Sequence, residues 1–165
     1  MPEYREETGK RTGNRTESLI AAGLSHVAIR TRDIEASARW YTEVLGLCEA
    51  FRMHREDGST ATIYVMITPG QYLELFDRGE REGAEGDDVI GMRHICLMTK
   101  DVRHSYEEVV SRGGPVDSEI YRGKSKCLMF WTHDPDGTRI EMMEMPPESL
   151  QAQADSRCLR EVPQK

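Results

Sequence analysis

The chain matches itself. The segment "SHVAIRTRDIEASARWYTEVLG", starting at Ser25, lies without a gap on "RHICLMTKDVRHSYEEVVSRGG", starting at Arg93. His26 falls on His94, Thr31 on Thr99, Asp33 on Asp101, Ser37 on Ser105 and Gly46 on Gly114. An internal repeat constrains a fold more tightly than any single motif, because both copies must satisfy one local structure. Each copy reads as a strand with side chains on alternate faces, then a charged turn whose aspartate suits a helix N-cap. An amphipathic helix follows, with a glycine near its end.

Downstream of each helix the chain becomes rich in strand formers. "CEAFRMHRE", "TATIYVMIT" and "QYLELFD" follow the first helix, and "PVDSEIYR", "KCLMFWTH" and "TRIEMME" the second. Turn signals separate them: "EDGS" and "TPG" in one copy, "RGKS" and "DPDG" in the other. The expected fold class is therefore α+β, with two βαβββ modules of curved mixed sheets that can close into a cup. Module one spans 23–77 and module two 92–146, joined by a charged, Gly-rich linker over 78–91. Residues 1–22 and 147–165 read as polar tails, with a short helix starting at Ser149.

The repeat extends to carboxylates. Glu74 in "YLELF" and Glu141 in "RIEMM" sit on matching last strands, each between apolar neighbours that must face a core. Alternation then turns both glutamates to the opposite face. His94 likewise shares a face with Cys96 and Met98, away from Ile95 and Leu97. Each of these groups alone could be a solvated glutamate or a hydrogen-bonded structural histidine. Four groups that bind divalent ions, His26, Glu74, His94 and Glu141, at equivalent positions point instead to one metal site.

Paired βαβββ modules with a His on each first strand, a Glu on each last strand and a "DPDG" turn before the final strand resemble the vicinal oxygen chelate superfamily. It includes glyoxalase I, methylmalonyl-CoA epimerase, extradiol dioxygenases and fosfomycin-resistance enzymes. The His-Glu-His-Glu set is most similar to that of bacterial-type glyoxalase I, where such residues hold an octahedral metal with two open positions. The resemblance implies a metal-dependent lyase or isomerase that converts a 2-oxoaldehyde-thiol hemithioacetal (methylglyoxal type) to a 2-hydroxyacyl thioester through an enediolate held by the metal. Glu141 is the implied base and Glu74 its counterpart. Nickel or cobalt is the implied ion, with zinc, manganese or iron as alternatives. Other activities of the superfamily remain open: an epimerase, a ring-cleaving dioxygenase, a thiol transferase, or a binding or resistance protein without catalysis. Relatives with epimerase activity usually carry Gln where this chain has Glu74, and dioxygenases and fosfomycin enzymes generally lack the first-module carboxylate. Arg30 matches an arginine that contacts a glutathione carboxylate in glyoxalase I. Arg78 replaces the family's asparagine, so the thiol need not be glutathione.

Tyr72, Phe76 and Met98, with Met143, share the ligand faces and suit either an apolar pocket wall that contacts substrate or core packing, and Arg122, Lys124 and Lys126 in "YRGKSK" suit an anionic substrate tail or a solvated turn. His133 is expected to make turn hydrogen bonds, and His54 and His104 to be exposed. The net charge of −7 argues against nucleic acid or an anionic membrane surface as a partner. A small molecule, as a thiol adduct, is the expected ligand. Four cysteines, Cys48, Cys96, Cys127 and Cys158, lie far apart without metal or disulfide spacing and read as reduced packing residues. With no apolar leader or membrane-length run, the cytoplasm is the expected compartment. Sheets with open edges favour a homodimer.

Overall fold

A computed structural model describes residues 23–80 and 90–160, with side chains through 155. The N-terminal tail, most of the linker and residues 161–165 lie outside the described residues. The element order is β1 (His26–Arg30), α1 (Ile34–Glu43), β2 (Cys48–His54), β3 (Thr60–Thr68), β4 (Gln71–Phe76), β5 (Ile95–Met98), α2 (Val102–Ser111), β6 (Tyr121–Arg122), β7 (Leu128–His133), β8 (Arg139–Glu144) and α3 (Leu150–Arg160). The βαβββ pattern thus occurs twice, as the repeat predicts. The sheets are mixed, in the orders β1-β4-β3-β2 and β5-β8-β7-β6. The first strand of each runs parallel to its last, and the remaining pairs are antiparallel.

The aligned aspartates cap both helices. Asp33 accepts from the amides of Glu35 and Ala36, and Asp101 from that of His104, each at 3.0 Å. Ile34, Ser37, Ala38 and Tyr41 are the buried face of α1, at the i, i+3, i+4, i+7 spacing of one helical stripe. The aligned glycines part company. Gly46 takes the left-handed φ of +69° that ends the first helix. In the second copy Gly113 takes that role, and Gly114 lets Val44 and Val109 approach to within 2.5 and 2.8 Å of where a Cβ would stand.

Of the expected strand "PVDSEIYR" only Tyr121–Arg122 pairs. Pro115 has no amide to give a ladder, and the Ser118 hydroxyl, not a backbone carbonyl, accepts the Trp131 amide at 3.1 Å. The tail helix forms one residue after the expected start: Ser149 is fully buried, and its hydroxyl accepts the Ala152 amide at 3.3 Å.

The apolar faces of both sheets share one core. Ile29, Ile63, Val65, Leu73 and Leu75 of the first sheet pack in a single buried cluster with Ile95, Leu97 and Ile140 of the second, and α1 adds Ile34, Ala38 and Tyr41. The "DPDG" turn docks on α1: Tyr41 donates to Asp134 at 2.8 Å and Ser37 to Asp136 at 3.2 Å. Each sheet therefore turns its apolar side to the common core and the face that carries Glu74 or Glu141 outward. Among the described residues, no helix is long and apolar enough to cross a membrane.

Candidate metal centre

On the outer face of the first sheet, β1 and β4 are parallel neighbours with His26 opposite Tyr72 and Ala28 opposite Glu74. This register carries His26 Nε2 to 3.2 Å from Glu74 Oε2. The second sheet repeats the arrangement: Cys96 stands opposite Glu141, and His94, immediately before β5, brings its Nε2 to 3.0 Å from Glu141 Oε2. Each glutamate side chain is 11% exposed, whereas the histidines are 44% and 34% exposed. The carboxylates are thus shielded while the paired edge stays open.

The fit to a divalent ion follows from these spacings. Two donors each about 2.1 Å from one ion, at right angles, lie about 3 Å apart. Both His–Glu pairs match that separation, and imidazole plus carboxylate is a donor set for borderline divalent metals. Each pair therefore fits half of a site. The halves are not brought together within one chain: no group of three or more His, Cys, Asp or Glu able to hold an ion occurs among the described residues. The shared core explains this, since it sets the two ligand faces on outward sides.

Neighbouring aromatics set the two halves apart. Tyr64 on β3 stands opposite Glu74, and Trp131 on β7 opposite Glu141. Both rings meet the adjacent histidine edge-on, at centroid distances of 6.1 Å for His26–Tyr64 and 4.9 Å for His94–Trp131. The interaction of the Tyr64 hydroxyl with the facing Glu74 carboxylate, then burial, raises the phenol above its usual range. The Trp131 N–H instead donates to Tyr121 at 2.7 Å, and Arg139 lies 4.5 Å over the indole. Beside Glu141, partial desolvation by its strand neighbours and then the Glu141 charge push the Cys96 thiol up to about 12, although the residue as a whole stays exposed.

The other expected contacts sort unevenly. Tyr72 and Phe76 are half-buried on the ligand face, Met143 likewise, and Met98 is 69% exposed. Arg30 donates to the Asp77 carbonyl at 2.8 Å and lies over Phe76; with Arg78, Gly79 and Glu80 it lines a cavity of about 280 Å³. Arg122 is engaged by the Lys126 carbonyl at 2.8 Å and Glu148 at 3.0 Å, while Lys124 and Lys126 also have partners. His133 is not held by its turn but bonds Asp117 at 2.9 Å. The cysteines do not all pack: Cys127 is buried, but Cys48 and Cys96 are exposed. Tyr64 and Trp131 stand outside the expected set, although continuing the repeat into the middle strands aligns them opposite the two glutamates.

This architecture is shared with known proteins. Residues 23–142 match the family model described as Glyoxalase/Bleomycin resistance protein/Dioxygenase superfamily, and the chain belongs to that superfamily. Lactoylglutathione lyase of Salmonella typhimurium is 27% identical over 124 residues, covering 73% of this chain and 91% of that protein. The uncharacterized protein YwbC of Bacillus subtilis is 29% identical over 129 residues, covering 76% and 99%. Lactoylglutathione lyase of Schizosaccharomyces pombe is 25% identical, and this chain spans 49% of its length. Among solved structures, a glyoxalase family protein from Enterococcus faecalis has the same fold, with a TM-score of 0.64 at 21% identity, covering 74% of this chain and 98% of that one.

Proposed function

We propose that the chain is a metal-dependent, glyoxalase I-like lyase or isomerase acting on the hemithioacetal of a 2-oxoaldehyde and a thiol. Its complete site pairs His26 and Glu74 of one copy with His94 and Glu141 of a second copy in a homodimer. The observation that carries this reading is the two equivalent His–Glu pairs, each spaced for one ion and each open at its edge. Two donors fall short of the three or four protein ligands that hold catalytic or structural ions, so two halves are needed. Phe51, Met98 and Tyr121 are exposed on the same two faces, at 48%, 69% and 41%, which favours a covering partner. Relatives named lactoylglutathione lyase support the reaction class.

A divalent ion such as nickel or cobalt, when bound, supplies several kcal/mol of stabilisation to charge developing on the substrate oxygens. The chain's own groups do the rest. His26 and His94 fix the position, and the aromatic walls around Tyr64 and Trp131 keep water from the reacting carbons. Glu141 takes the proton from the carbon bearing sulfur and returns it to the neighbouring carbon, so the product is an isomer and no redox partner is required.

The test is metal analysis of the purified protein, then thioester formation from methylglyoxal and several thiols. Glu141→Gln keeps an oxygen donor but loses the base, so its rate should fall about 10²–10⁴-fold with metal content retained. Glu74→Gln should stay within about 10-fold of wild type, the margin separating a ligand from a base on that scale. A fully active, metal-loaded Glu141→Gln protein would refute the assignment.

A further inference from the structure

Where β5 and β8 adjoin on the outer face of the second sheet, sulfur meets sulfur. Cys96 and Met98 are the outward residues of β5, and Met143 on β8 is the register partner of Met98. The matching positions of the first sheet hold Ala28, Arg30 and Phe76, so the repeated fold does not require these side chains. The core does not claim them either: Cys96 and Met98 are exposed and Met143 is half-buried. The Cys96 thiol donates to Met143 Sδ at 3.9 Å, and the Gln151 amide, reaching over from α3, donates to the same sulfur at 4.0 Å. Gln151 is fixed in turn by the buried Cys127 thiol, which donates to its Oε1 at 3.3 Å. The Met143 thioether is thus held between two neighbours. Two sulfurs each about 2.3 Å from one ion, at about 120° to each other, stand about 4 Å apart. The Cys96–Met143 pair has that spacing, and Met98 stands next to both.

We propose that Cys96, Met98 and Met143 form a binding site for a soft monovalent metal ion of the Cu(I) class. Thiolate and thioether sulfur select such ions, whereas imidazole with carboxylate suits borderline divalent ones. Binding replaces the proton that lies between two sulfurs. The Cys96 thiol releases H⁺ to solvent, its thiolate and the Met143 thioether take the ion, and the metal keeps its oxidation state, so no redox partner is required. Met98, unbranched and exposed, swings in as the third donor. The site does not depend on the proposed lyase function, because none of its three ligands belongs to a His–Glu pair.

The experiment titrates the full, reduced chain anaerobically with Cu(I) against bicinchoninate, a chelator whose Cu(I) complex is coloured, and reads stoichiometry and affinity from the absorbance. Cys96→Ser removes the thiolate. Met143→Leu, close in volume, removes the thioether and leaves every thiol in place. Cys48→Ser is the control, since it deletes an exposed thiol on the first sheet that donates to the Glu49 carbonyl rather than to a sulfur. The expected result is about one Cu(I) per chain, held at least about 10-fold more weakly by Cys96→Ser and by Met143→Leu and within about 3-fold of wild type by Cys48→Ser, on the scale that governs metal affinity when a site's residues change. Met98→Leu should weaken binding with them, and it serves if Cys96→Ser folds poorly. Wild-type affinity in a folded Met143→Leu protein would mean capture by a thiol alone and would overturn the site. An equal loss in Cys48→Ser, or a wild-type chain that takes no Cu(I) from the chelator, would do the same, and none of these results bears on thioester formation.

Discussion

Tyr41→Phe should destabilise the fold at neutral pH and make it less sensitive to alkali. Tyr41 is fully buried on α1, and its hydroxyl donates to Asp134 Oδ2 at 2.8 Å, while Asp134 Oδ1 accepts the amides of Asp136 and Thr138 at 3.0 and 2.8 Å. Deleting the hydroxyl leaves a carboxylate oxygen with no donor in a site 1% exposed, a loss of about 2 kcal/mol. For a chain of this size that corresponds to a melting temperature lower by about 4–8 °C. Burial, then the charge of Asp134, holds the Tyr41 phenol far above its ordinary value of 10. A pKa raised in the folded state gives stability that is whole below the unfolded value and is lost as pH rises past it. The wild type should therefore lose about 1.4 kcal/mol per pH unit above about pH 10 on account of this residue, and the variant should not. The other tyrosines are common to both chains and cancel in the difference. Urea titrations from pH 7 to 11.5 should show a gap of about 2 kcal/mol up to about pH 9.5, closing to near zero at about pH 11.5. Parallel curves across that range, or a gap below about 0.5 kcal/mol at pH 7, would refute the account of Tyr41 as a buried donor.

Gly114→Ala should cost about 1–3 kcal/mol in the same titrations, because the new methyl meets the Val44 and Val109 side chains at under 3 Å in a junction between modules. Nickel at about a hundred times its dissociation constant should stabilise the wild type by about 2.7 kcal/mol in thermal scans, an effect that a chelator removes and Glu141→Ala abolishes.

The sequence carried the local structure well because local structure is what the repeat encodes. Asp33 and Asp101 cap helices through bonds reaching two or three residues, and alternation alone places Ile95 and Leu97 inward and Cys96 and Met98 outward. The same alternation puts each His and Glu on the outer face, but it is the parallel pairing of first and last strands that brings His26 to Glu74 and His94 to Glu141. Alternation misled at β6, where Val116 and Ile120 pack as a strand would but Ser118 takes over a ladder bond. Cysteine spacing alone suggests a packing role for Cys96, yet its strand face sets it outward beside Glu141. What alternation cannot encode is how the two sheets meet. That is settled by contacts such as Tyr41–Asp134, 93 residues apart, whose partners carry no periodic signal.

A duplicated module begins with two identical halves, and identical carboxylates on one ion would share every task. Function that needs one ligand and one base must break that symmetry without moving the backbone, since the strand pairings that set the His–Glu spacing are common to both copies. The changes occur where a side chain can alter the carboxylate's hydrogen bonding and leave the ladder intact. Ala28 becomes Cys96 on the first strand, and Tyr64 becomes Trp131 on the middle strand, each directly opposite its glutamate. Any difference in chemistry between the two proposed half-sites is therefore to be sought at these cross-strand positions rather than at the matched histidines and glutamates. Under the proposed metal function, the matched histidines and glutamates would hold the ion, while the mismatched pairs set a different neighbour against each carboxylate.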